Sequence, residues 1–306
     1  MTTLGEGAAV LLDALAGFNA TAGAMDLAER RVAARALRLP WNEGGPEMRA
    51  TRDVILTGDV PARRYEPSAL RPDAPTLVYF HGGGWVMLDI DTHDRLVREL
   101  ADAAGMPALG LDWPLAPESV FPATVDTCVK AVGDLHAPHG IVLGGDSAGA
   151  NIAVAVALAL RDAGGPGPRV AGLLLNYGAW DCGLTRPSHD LFGDAPFQLT
   201  REKMATFWEI YCPDPEARRS ALASPIHADL AGLPPTRLVV ADLDVLSDEN
   251  IEMSRRLDAA GVTVSLDRHP DMPHGFMEAA AFIPAARRAI RSAADWIRRL
   301  DPEDAR

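Results

Sequence analysis

The stretch GGDSAGAN, residues 144–151, places a serine where a hydroxyl could react. Gly145, Ser147 and Gly149 fit the spacing G-x-S-x-G, with IVLG before them and IAVAVALAL after. The first run reads as a buried strand and the second as a helix. A turn sharp enough to join them holds its central residue in a strained conformation, and side chains two positions to either side would collide, so glycine is needed there. The hydroxyl of Ser147 then stands clear at the carboxyl end of the strand, as a nucleophile must. A serine that merely caps the helix is the plainer reading of the same residue. A second motif argues against it. HGGGW, from His81 to Trp85, follows the strand-like run PTLVYF. Its glycines leave backbone N–H groups bare. Gly83, Gly84 and the amide of Ala148 at the helix start can together receive the oxyanion of a tetrahedral intermediate, with the helix dipole adding to the pull. No Lys follows these glycines, which disfavours a phosphate loop.

A serine hydroxyl needs a base. In strand–turn–helix sites of this kind the nucleophile comes first in the chain, then the acid, then the histidine. Of eight histidines only His189, His227, His269 and His274 follow Ser147, and the loop after the last strand leaves His269 and His274. His274, in the loop PDMPHGF, is the chosen base. His269 reads as a strand-end or solvent-facing residue, and His81 as a local support of its glycine loop. The acid should follow the strand TRLVV, where Asp242, Asp244 and Asp248 are available. Asp244 lies where it can reach the loop of His274 and is chosen. Asp242 reads as structural, and Asp248 with Glu249 as the carboxylate-rich start of a helix.

These groups need a frame. Residues 1–45 carry helical spacing, and PWNEGGPE breaks it. Buried strand-like runs then alternate with helices: TRDVILTG, VPARRYEP, PTLVYFHG, MPALGLDW, GIVLGG, RVAGLLLNYG, TRLVVADLD and VTVSLDRHP are the strands. The pattern predicts a mostly parallel eight-stranded sheet flanked by helices, with an antiparallel leading edge because no helix separates the first two strands. The alternation pauses over 183–225, where one or two aromatic-rich helices are expected. The chain thus divides into N-terminal cap helices at 1–45, a catalytic core at 46–182 and 226–306, and a cap insertion at 183–225. Trp85, Met204, Phe207, Trp208, Tyr211, Leu246 and Phe276 could line an apolar pocket under that cap, with Phe207 and Tyr211 read as cap core.

Of 306 residues, 48% are apolar and 23% charged, ordinary for a globular chain, and the net charge of −13 argues against nucleic acid and anionic lipid as partners. No secretory signal is evident, and the longest apolar run, nine residues, is too short to span a bilayer. Three scattered cysteines form no disulfide or metal-ligand pattern and fit a cytoplasmic location.

In order along the chain, FHGGGWV, THDRLVRELA, LDWPLAPESVFPA, GGDSAGAN, DLDVLSDE and PHGF resemble the bacterial hormone-sensitive-lipase-type (family IV) carboxylesterases of the α/β-hydrolase fold. PFQLTREKMATFWEIY is similar to that family's cap helix. The resemblance runs from about residue 50 to the end, and in outline over the N-terminal helices. It implies a serine carboxylesterase acting on short- to medium-chain acyl esters, up to about hexanoate, through an acyl-enzyme. Ser147, Asp244 and His274 would form the triad, Gly83, Gly84 and Ala148 the oxyanion hole. No metal or cofactor is implied, the partner is a small-molecule ester, and a homodimer through a sheet edge is allowed. The sequence departs from the family at Trp113 and Pro114, where Tyr and Arg are usual, and at Val245 and Ser247, where Pro and Arg are common. A lactonase, amidase or deacetylase would use the same machinery. A non-catalytic ligand-binding protein on this scaffold tends to lose a triad member, and all three are present here.

Overall fold

A computed structural model describes residues 3–165, 167–194, 197 and 199–300. The expectations at 1–2, at 195, 196 and 198 of the insertion, and at 301–306 lie outside the described residues.

Eight strands form one sheet: β1 Met48–Leu56, β2 Val60–Pro67, β3 Thr76–Phe80, β4 Ala108–Leu111, β5 Ile141–Asp146, β6 Val170–Asn176, β7 Thr236–Leu243 and β8 Val264–Pro273. Their order is β1-β2-β4-β3-β5-β6-β7-β8. β1 and β2 run antiparallel, β2 meets β4 antiparallel, and every later pairing is parallel. Both faces of the parallel part are buried because successive side chains point to opposite sides. In β3, Val78 and Phe80 enter one core, with Leu143 of β5, while Leu77 and Tyr79 enter the other, with Val142.

Helices α4 Ala123–Gly133, α5 Ala148–Ala163 and α8 Ser247–Ala259 cover the first face. α3 Asp94–Ala104 and α9 Pro284–Arg298 pack together on the second. α1 Ala8–Ala22 joins that second core through Ala8, Leu11 and Leu15. Its entry is pinned by a hydrogen bond of 2.9 Å from the Gly5 N–H to the Asp271 carbonyl. α2 Leu27–Arg38 starts on a reciprocal cap, in which Asp26 accepts from the Glu29 N–H and Glu29 accepts from the Asp26 N–H, both at 2.9 Å. Between β6 and β7 lie α6 Pro187–Leu191 and α7 Arg201–Tyr211, the latter capped by Thr200.

The sequence ends the last strand near His269. The strand in fact runs four residues further, to Pro273, and pairs there with Leu243 of β7. The carboxyl ends of β3, β5, β7 and β8 therefore deliver, in turn, the glycine loop, Ser147, Asp244 and His274 to one rim of the sheet.

Candidate active site

Ser147 has φ 53° and ψ −122°, a conformation costly for any side-chain-bearing residue. What holds it there is crowding. A Cβ on Gly145 would lie 2.5 Å from the Gly149 carbonyl carbon, and one on Gly149 would lie 2.0 Å from the Phe80 carbonyl oxygen. Both are backbone contacts with no room to yield, so the two glycines let α5 start directly against the end of β3.

His274 is the first residue past β8, and its ring meets both partners the sequence assigns. Nε2 lies 3.0 Å from Ser147 Oγ and Nδ1 lies 2.6 Å from Asp244 Oδ2. The other Asp244 oxygen accepts from the Leu246 N–H at 3.0 Å, which leaves Oδ2 for the imidazole. That pairing assigns the proton to Nδ1 and leaves Nε2 to accept from the serine. Burial works against a charged His274 ring, but Asp244, then Glu278 and Asp146, outweigh it and raise the pKa above the ordinary 6.5. The Tyr177 ring meets the imidazole edge-on, centroids 5.0 Å apart.

The other candidates lie elsewhere. His269 remains within β8, beside Phe276. Asp242 pairs with Arg268 at 2.8 Å, and Asp248 accepts from the Ser188 N–H at 2.8 Å in the first turn of α8. Glu249 is wholly buried, and its carboxyl is pushed well above its usual range by that burial.

The glycine loop is shaped by positive φ at Gly83 (124°) and Gly84 (63°). A Cβ on Gly83 would lie 1.9 Å from the Met87 carbonyl oxygen. Among the described residues, no protein acceptor takes the N–H of Gly83, Gly84 or Ala148. The Gly82 N–H is not free: it donates to Asp146 Oδ1 at 3.2 Å. Asp146 is fully buried, precedes the serine, and also accepts from Tyr79 Oη at 2.9 Å. Facing it at 3.4 Å is His93 Nε2. Thr92 Oγ1 donates to the Asp89 carbonyl at 2.7 Å and so accepts from His93 Nδ1, 2.9 Å away. Burial lowers the His93 pKa, but Asp146 and Glu278 outweigh it and raise it overall. Burial likewise opposes charge on Asp146, and His93 and Tyr79 outweigh it. A His93–Asp146 pair thus lies under the loop, and the Gly82 N–H also approaches His93 Nε2 at 3.4 Å. His81, stacked on Trp113 at 5.1 Å, is kept neutral by burial and by His93, its pKa lowered to about 3. Glu278 approaches the same cluster, a carboxylate oxygen within 4.8 Å of polar side-chain atoms of His93 and Asp146, but it already pairs with Arg38 at 2.6 Å. The cluster is an ion-pair network whose members hold one another. Spacing along the chain missed it, although Asp146 adjoins Ser147.

A cavity of about 380 Å³ opens onto Ser147, His274, Gly83 and Gly84. Trp85 and Met204 line it. Trp208, Leu246 and Phe276 do not: all three are core residues. Trp208 stands behind Trp85, centroids 4.5 Å apart, Leu246 follows the Asp244 turn, and Phe276 packs on Tyr177 at 5.8 Å. Phe207, expected in the cap core, lines the cavity instead and lies over Gly84, while Tyr211 is core and stacks on Trp85 at 4.6 Å. Apolar spacing marks the face of a helix that leaves water and cannot say which member borders a void. Leu15, Phe18 and Asn19 of α1, with Arg30 and Arg38 of α2, complete the wall and were not foreseen.

The family model described as alpha/beta hydrolase fold matches residues 77–278. The carboxylesterase NlhH of Mycobacterium tuberculosis is 36% identical over 296 residues, 92% of this chain and 91% of that protein. An acetyl-hydrolase of Streptomyces hygroscopicus is 35% identical over 250 residues, 80% and 82% of the two chains. Among solved structures, the ester-hydrolase EH1AB1 from the metagenome of Lake Arreo, in complex with a bipyridine phosphonate derivative, superposes with a TM-score of 0.86 at 32% identity, covering 96% of this chain and 98% of that one. The hyperthermophilic esterase of the archaeon Pyrobaculum calidifontis has the same TM-score at 30% identity, covering 94% and 97%.

Proposed function

The chain belongs to the alpha/beta-hydrolase family, in its hormone-sensitive-lipase-type branch, and from that premise we propose that it is a serine carboxylesterase acting on short- to medium-chain acyl esters. The observation that carries this reading is the continuous line of contacts Ser147–His274–Asp244, at 3.0 and 2.6 Å, opening onto an apolar cavity.

His274 Nε2 takes the Ser147 proton as Oγ attacks the ester carbonyl. Asp244 holds the ring in the tautomer that can accept and stabilises the imidazolium that results. The carbonyl oxygen becomes an oxyanion between the N–H groups of Gly83, Gly84 and Ala148. Loss of one such donor typically costs about 10²–10³ in kcat. The imidazolium then protonates the departing alcohol, leaving Ser147 acylated. Water, deprotonated by the same His274, attacks the acyl group and releases the acid. In this reading the helices of residues 1–45 and the insertion at 183–225 act as a cap, and the chain works in the cytoplasm. Among the described residues no helix is long and apolar enough to cross a membrane.

The test is covalent. A fluorophosphonate probe should label Ser147, p-nitrophenyl butyrate should be turned over, and Ser147→Ala should lose both. Labelling elsewhere, or turnover surviving the substitution, would remove the serine from the mechanism. A panel of short esters, lactones and anilides then separates esterase from lactonase and amidase, which the triad alone does not distinguish.

A further inference from the structure

The Gly84 N–H, one of the proposed oxyanion donors, belongs to the same peptide unit as the Gly83 carbonyl. That carbonyl accepts from the Val86 N–H at 3.2 Å and from the Met87 N–H at 2.9 Å. In a trans peptide the N–H and C=O point opposite ways, so these two bonds turn the Gly84 N–H out of the loop, where Gly84 lines the cavity. Each of the two donors is held in turn through its own peptide unit. The Trp85 carbonyl, which shares a peptide with the Val86 N–H, accepts from the Ala116 N–H at 2.9 Å. The Val86 carbonyl, which shares a peptide with the Met87 N–H, accepts from Arg31 Nε of α2 at 2.8 Å. Arg31 also donates from Nη2 to the Ala116 carbonyl at 2.8 Å, so one guanidinium straddles both supports. Its other bonds, at 2.7 and 2.8 Å, go to Glu118, whose side chain is 64% exposed and screened by water. The loop needs such support: Trp85 and Leu88 sit at φ 61° and 70°, conformations that persist only where the surroundings enforce them.

A chain of hydrogen-bonded peptides therefore runs from the Arg31 guanidinium, through Val86–Met87 and then Gly83–Gly84, to the place where the oxyanion would develop. A cation at the donating end polarises such a chain and makes its last N–H a better donor, by about 10–30% per bond. We infer that Arg31 is a positioning residue for the oxyanion hole, aiming and polarising the Gly84 N–H from the N-terminal helix α2. The inference rests on the esterase reading and deepens it, because its effect is felt only where negative charge develops on the carbonyl oxygen. Arg35, one turn further along α2, anchors the same helix through side chains, to Asp89 Oδ2 at 2.9 Å and to Asp91. The seating of α2 can thus be separated from the support of the donor.

The experiment follows p-nitrophenyl butyrate turnover beside inhibition by two ketones. Butyl trifluoromethyl ketone adds to the serine as a tetrahedral oxyanion, and butyl methyl ketone, its unactivated analogue, binds as a neutral carbonyl. Arg31→Met should lower kcat about ten- to hundredfold with KM little changed. It should weaken the trifluoromethyl ketone by the same factor and leave the methyl ketone within about twofold. Arg31→Lys keeps the charge but has a single nitrogen where the guanidinium uses three, and it should recover part of the loss. Arg35→Gln and Glu118→Gln should leave kcat and the ratio of the two ketones in place. Unchanged kcat in both Arg31 variants, a loss confined to KM, or an equal loss in Arg35→Gln overturns the inference and leaves the esterase reading intact. Should Arg31→Met fail to fold, Arg31→Lys, checked by its urea midpoint, carries the same comparison. If the unaltered protein neither hydrolyses p-nitrophenyl butyrate nor is inhibited by the trifluoromethyl ketone, the esterase reading fails instead.

Discussion

At the scale of single residues, in the proposed mechanism the protonation of His274 decides whether Ser147 can be activated. Its ring must be neutral to accept the proton, and its pKa is raised because Asp244, helped by Glu278 and Asp146, outweighs burial. Activity should therefore fall as pH drops through a value above the ordinary 6.5 of histidine. Asp244→Asn removes the largest raising influence and leaves the burial that lowers. The surviving activity should be about 10⁴-fold reduced, and its acid limb should move to lower pH. Asp248→Asn should leave both kcat and the limb in place, because Asp248 is spent on the Ser188 N–H. A pH profile of kcat/KM for the three proteins checks this, and an unmoved limb in Asp244→Asn would mean that another group sets it. His81 is no alternative, since it stays neutral down to about 3.

At the scale of elements, the site depends on how closely α5 follows β5. Gly149→Ala would drive a Cβ into the Phe80 and His81 carbonyl oxygens, and it should destabilise the fold by about 2–3 kcal/mol or more. Gly17→Ala, on a helical site of α1 with nothing within 4 Å of the added carbon, should stabilise by about 0.4–1 kcal/mol. Urea unfolding of the two variants measures the contrast. The His93–Asp146 pair ties the start of α3 to the glycine loop and to the residue before the nucleophile. His93→Gln removes the imidazole but keeps a side-chain amide, so the loop should loosen around Gly82. We expect kcat to fall about ten- to hundredfold with KM little changed, and the acid limb to stay with His274. A fall confined to KM would assign His93 to substrate binding instead. The meeting of Ser147, His274 and Asp244 was legible because each follows a strand in a fixed chain order. The buried pair was not, because Tyr79, His93 and Asp146 come from three elements whose adjacency only the folded sheet creates.

At the scale of the whole molecule, strand–helix alternation foretells a parallel sheet with an antiparallel edge, but not that β3 would lie between β4 and β5. Crossover connections decide that order, and they leave no local mark on the sequence. The cavity is harder still to foresee. Its wall is assembled from α1, α2, α7 and the loop at residues 83–88, segments far apart in the chain, which is why sequence patterning places Trp208, Leu246 and Phe276 on it, assigns Phe207 to the cap core and passes over Phe18. The size of this composite void sets an expectation for acyl-chain length. Each methylene that finds apolar wall gains about 0.8 kcal/mol, roughly fourfold in kcat/KM. Across p-nitrophenyl esters from acetate upward, the rate constant should climb while the volume of about 380 Å³ accommodates chain and alcohol together, then fall beyond hexanoate. Phe18 contributes to the wall from α1, so Phe18→Ala should move the maximum to longer chains without changing the pH profile. A maximum that stays fixed would place the acyl chain in a branch of the cavity that α1 does not bound, and the length limit would then belong to α7 and Met204.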